Sequence, residues 1–105
     1  MTGPARADAP DEHSVPVVRE VEIVNKKGLH ARASAKFVQM VERFNAEVWV
    51  TKGNETVGGT SIMGLMMLSA GPGTSIVVSA IGPDAQAAID AITELVASKF
   101  SEEGT

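Results

Sequence analysis

Two apolar spacings alternate along this chain, and only short links separate them. That alternation restricts the fold more than any single residue does. In "VVREVEIVN", which begins at Val17, the residues Val17, Val21 and Ile23 alternate with Val18, Glu20 and Glu22. A period of two marks a strand with one buried face. From Ala31 the spacing changes. Ala33, Phe37, Met40, Val41 and Phe44 follow the period of one helix face, while Arg32, Lys36, Gln39 and Arg43 fall on other faces. "AEVWVTK" returns to alternation, with Ala46, Val48 and Val50 on one side. Gly53-Asn54 makes a turn tip, and the strand that returns from it ends at "GGT", residues 58–60.

"SIMGLMML", residues 61–68, is short and very apolar. Leu65 and Leu68 can both face a core, which leaves Ile62, Met63 and Met66 with nowhere inside to go. After a turn, "SIVVSAIG" reads as a strand. "PDAQAAIDAITELVASKF" reads as a helix started by Pro83-Asp84, with Ala85, Ala88, Ile89, Ile92, Leu95, Val96 and Lys99 in period. The order is strand, helix, strand, strand, short helix, strand, helix. With links this short, it predicts a four-stranded sheet covered by helices on one face.

A length of 105 residues suits one domain. Residues 1–15, rich in Ala, Pro and Asp, have no apolar period and are expected to be a disordered acidic tail; residues 16–105 are expected to form the domain. Net charge is −4, and the aromatics are one Trp and three Phe, so neither charge nor stacking surface favours nucleic acid. The absence of cysteine excludes thiol chemistry. No apolar run suits a membrane span, and the N-terminus lacks the pattern of a secretory or transit signal. A cytoplasmic monomer is the expectation.

The chemistry concentrates in "KKGLHARASAKF", residues 26–37. His30 directly precedes the first helix. Lys26, Lys27, Arg32 and Lys36 surround it, and no acid occurs between Glu22 and Glu42, although the chain as a whole is acidic. The backbone N–H groups of Ala31, Arg32 and Ala33 open the helix, and together with its positive end they form an anion site. A neutral imidazole there offers a nucleophilic nitrogen, and a guanidinium pairs well with phosphate oxygens. No second histidine or carboxylate stands close enough in sequence to complete a metal site or to orient a general base. His13, the other histidine, lies in the tail with no ligand partner nearby. No nucleotide-binding signature accompanies these residues. A histidine suited to hold phosphate, on a chain with no donor pocket, points to a carrier between other proteins.

At this point the sequence resembles the HPr family, phosphocarriers of the bacterial phosphoenolpyruvate-dependent phosphotransferase system. "GLHARASAKFV" is similar to the family's active-site segment, and "TSIMGLMMLSAGPG" to its second signature. The resemblance implies an α+β open-faced sandwich: a four-stranded antiparallel sheet with three helices on one face. It makes His30 the residue phosphorylated on Nδ1 by enzyme I, and Arg32 the residue that stabilises the phosphoryl group. The onward acceptors would be IIA-type proteins, in sugar uptake or in a regulatory branch. Ser61, by position alone a helix cap, would be the site modified by HPr kinase/phosphorylase with ATP. Ile62, Met63 and Met66, with Lys36, would form the docking surface. No cofactor or metal is implied. Two departures stand out: Ala33 replaces the family's usual proline, and the tail before Val17 is extra. A regulatory binding module of the same fold, acting by phosphorylation-dependent docking, is the competing reading.

Overall fold

In the computed structural model, which describes residues 15–101, the two spacings become seven elements in the expected order. They are β1 (Val17–Glu22), α1 (Ala31–Val41), β2 (Glu47–Lys52), β3 (Glu55–Gly58), α2 (Ile62–Met67), β4 (Ser75–Ile81) and α3 (Ala85–Ala97). The sheet runs β1-β4-β2-β3, and every pairing is antiparallel. Register carries the alternation across it. Val21 stands opposite Ile76, Val50 opposite Val78, and Val48 opposite Ala80, and all six are buried. Phe37 and Val41 of α1, Leu65 of α2 and Ile89, Ile92 and Val96 of α3 complete the core. The other face of the sheet stays open, with Val18, Ser79 and Trp49 in one cross-strand row. This is the open-faced sandwich expected from the sequence. The tail expected over residues 1–15 lies outside the described residues except for Val15.

Two details differ from the sequence reading. Asp84 precedes α3 but does not cap it; its Oδ2 instead accepts the N–H of Asn45 at 2.8 Å, tying the start of α3 to the link before β2. The final helix also stops at Ala97 instead of running through Lys99. Lys99, Phe100 and Ser101 take φ values of 59°, 58° and 57°, a left-handed turn that L residues adopt at a cost. The compensation is burial: Phe100 is fully enclosed, and its carbonyl accepts Lys36 Nζ at 2.8 Å. Lys99, read from the sequence as the last periodic position, is exposed.

Candidate functional site

Gly28 determines how the site is put together. Its φ is +63°, and a Cβ there would lie 2.1 Å from the carbonyl oxygen of Ala70. Only glycine permits this approach. Leu29 N–H then donates to Ala70 O at 3.0 Å, so the link before α1 is stitched to the link after α2. Two loops distant in sequence thus share one surface.

The link itself is braced at successive carbonyls. Asn25 Nδ2 donates to Gly28 O at 2.9 Å, and His30 N–H donates to the same oxygen at 2.9 Å. Ser34 Oγ donates to Leu29 O at 3.1 Å, and Ser34 N–H donates to His30 O at 2.8 Å. His30 is left in extended geometry as the N-cap of α1, and its Nδ1 accepts the N–H of Arg32 at 3.2 Å. An accepting Nδ1 carries a lone pair, so the nucleophilic nitrogen sits over the positive end of α1. The ring replaces the hydroxyl or carboxylate usual at such a cap. An electrophile bound to Nδ1 would meet the Arg32 amide that now meets the ring. Of the three amides expected to bind phosphate, that of Arg32 is therefore engaged by the histidine itself, with Ala31 and Ala33 on either side in the same turn.

His30 is half-buried and Arg32 is exposed. A shallow hollow of about 300 Å³ opens beside the ring, lined by Lys27, Leu29, His30, Met66, Ser69, Ala70 and Gly71. A larger groove of about 490 Å³ runs past Met40, Arg43, Leu95 and Ser98, but it holds no histidine. Size and chemistry point to different places, and the chemistry decides for the smaller hollow. Lys36 is half-buried and turned to the C-terminal turn through Phe100 O, so the structure does not group it with Met66 at the His30 hollow.

Ser61 is the N-cap of α2, with Oγ accepting Gly64 N–H at 2.9 Å. Leu65 and Leu68 are buried beneath the helix, while Ile62, Met63 and Met66 are exposed at 40%, 71% and 42%. Met67, not singled out from the sequence, is exposed at 72%. The signal was present: with Leu65 inward, a residue two positions on points outward on a helix. Among the described residues no group of acids, histidines or cysteines could hold a metal, and no helix is long and apolar enough to cross a membrane.

Residues 17–98 match the family model described as the PTS HPr component phosphorylation site. The chain is 51% identical over 84 residues to the phosphocarrier protein HPr of Neisseria meningitidis serogroup A, covering 80% of this chain and 94% of that one. Among solved structures, HPr from Thermoanaerobacter tengcongensis superposes with a TM-score of 0.79 at 45% identity, covering 83% of this chain and 98% of that one. A structure described as an HPr dimer from the same organism gives 0.66 at 46% identity, covering 78% and 94%. A histidine presented on a helix start, in this fold and with this similarity along nearly all the described residues, settles the assignment: the chain belongs to the HPr family of phosphocarrier components of the phosphotransferase system.

Proposed function

We propose that the chain takes a phosphoryl group from enzyme I onto His30 Nδ1, with phosphoenolpyruvate as ultimate donor, and passes it to IIA-type acceptors. The observation that carries this reading is the Nδ1 lone pair directed at the Arg32 amide. The lone pair attacks phosphorus, the donor's bond to phosphorus breaks, and that electron pair leaves with the donor. The amide hydrogen bond passes from the ring to a phosphoryl oxygen as negative charge arrives at the helix start. Arg32, one turn-edge away and exposed, supplies a guanidinium for the remaining oxygens. Transfer to an acceptor runs the same steps in reverse.

Docking falls to Ile62, Met63 and Met66, joined by Met67, because thioethers adapt to several partner surfaces. Met66 lines the His30 hollow, so a partner seated on α2 reaches the acceptor nitrogen. Ser61 modification by an HPr kinase would place a dianion beside that patch. The working form is a cytoplasmic monomer with its domain over residues 16–105; the dimer named above is a property of that relative.

Incubation with phosphoenolpyruvate and enzyme I, followed by intact mass, tests the reading. One acid-labile, base-stable phosphoryl group is expected, absent from His30→Ala. Label retained in His30→Ala would refute the site. Enzyme I binding without any label would leave the binding-module reading in its place.

A further inference from the structure

Among the described residues the only polar side chains fully withdrawn from solvent are Asn25 and Ser34, both at 0% exposure. They stand on opposite sides of His30, and both are spent on the same short link. Asn25 holds the Gly28 carbonyl, and Ser34 holds the Leu29 carbonyl. Each places polar atoms inside the core, where an apolar side chain would need no hydrogen-bond partner. Asn25 also carries a burden: its Oδ1 is buried with no hydrogen-bond partner among the described residues. A buried acceptor left in that state lowers stability. A buried polar group with an unpaired acceptor, beside a second buried polar group on the same link, is a departure from core packing of the kind expected at a functional site.

We propose that Asn25 and Ser34 are positioning residues for His30. They immobilise the Gly28–Leu29 link so that the imidazole stays in its cap geometry, with Nδ1 on the Arg32 N–H and its in-plane lone pair available to an incoming phosphorus. The inference rests on the phosphocarrier reading and says which residues hold its nucleophile in place. The link has positive φ at Gly28 and no regular structure of its own. Without the two side-chain bonds, the Gly28–Leu29 link loses its side-chain bracing and keeps backbone bonds that bend with the loop. The reaction requires Nδ1 to be aligned with phosphorus, and a displacement of about 1 Å can cost up to ~100-fold in rate.

The test uses the full chain with Asn25→Ala, Ser34→Ala and, should the latter fail to fold, Ser34→Cys, which keeps the volume and weakens the donor. Labelling by enzyme I and phosphoenolpyruvate is followed as the carrier concentration is varied, and thermal unfolding by circular dichroism. Each folded variant is expected to lose about tenfold in kcat with KM within about twofold of the wild type. The amide resonance of Arg32 in the unphosphorylated chain is expected to shift in each, reporting a disturbed Nδ1 bond. Wild-type kcat together with a lowered melting temperature would show a structural role only and overturn the proposal. So would a loss confined to KM, which places the effect on docking. Should the wild-type chain take no label, the phosphocarrier reading fails, and the Arg32 resonance alone then decides whether these residues position the ring.

Discussion

The first turns of α1 and α2 solve the same local problem in different surroundings. Each begins with an extended residue whose side chain accepts a backbone N–H from its own helix: His30 from Arg32 at 3.2 Å, and Ser61 from Gly64 at 2.9 Å. His30 is half-buried, follows a link braced by Asn25, Ser34 and Ala70, and starts a helix of 11 residues. Ser61 is exposed and starts a helix of six residues whose outer side is apolar. A nucleophile must be held still, whereas a docking surface must be reachable. On the proposed function the two caps divide these demands, and of the side-chain hydrogen bonds described around them the buried ones, from Asn25 and Ser34, lie at the His30 link, while the Ser61 cap bond is exposed.

The comparison breaks first at the caps themselves. His30→Ala should lose all phosphoryl acceptance while costing about 1 kcal/mol of stability, the worth of a cap; intact mass and thermal melts read the two effects. The next contrast lies in the glycines. Gly28→Ala forces a Cβ to 2.1 Å from a backbone oxygen at positive φ, and should cost about 3 kcal/mol or more in chemical denaturation. Gly64→Ala meets Ser61 Oγ at 2.9 Å and Val57 Cβ at 3.0 Å, a strain offset by about 1 kcal/mol of helix propensity, so its net effect should stay within ~1 kcal/mol. Equal losses at the two would mean that the His30 link is no tighter than the Ser61 one.

The basic residues sharpen the division further. Arg32→Ala should slow labelling about tenfold, as the loss of charge-assisted bonds to phosphate implies. Lys36→Ala should leave the labelling rate near wild type and lower stability by about 1 kcal/mol, since its Nζ holds Phe100 O. The last contrast belongs to Ser61. Ser61→Asp should raise the apparent KM for enzyme I several-fold, because a charge beside Ile62 and Met63 must be desolvated on docking. Ser61→Ala should transfer normally and lose about 1 kcal/mol. Steady-state kinetics on both, with melts as a control, separate docking from capping.

Much of this architecture was legible in the sequence because period is local. Val17, Val21 and Ile23 declare a buried strand face, and Phe37 and Val41 a helix face, without reference to any other part of the chain. The position of His30 at a helix start is legible for the same reason, since the basic stretch and the helix start are neighbours in sequence. What escaped depends on distant partners. Nothing local in the sequence reveals the bond from Lys36 Nζ to Phe100 O. The left-handed turn at Lys99–Ser101 breaks a helical pattern that looked continuous, because burying Phe100 outweighs local backbone preference. Asn25 and Ser34 carry no local signal, since a lone Asn or Ser reads as surface until burial is known.

The stitch between Gly28 and Ala70 gives the carrier site a place in the folding sequence. The hairpin of β2 and β3 closes through a two-residue turn, and the Ser61 cap forms within one helical turn, so both are low in contact order. The His30 link instead waits for residue 70, and β1 for β4, the last strand of the sheet in chain order. Non-local pairings of this kind form slowly. On the proposed function, His30 is expected to become a competent nucleophile only once this long-range stitch has closed, and chemical labelling of that one nitrogen during refolding would act as a clock. It should start after the amide of Gly64 is protected from hydrogen exchange and keep pace with the amide of Leu29; labelling that preceded Leu29 protection would show that the ring is competent without its loop.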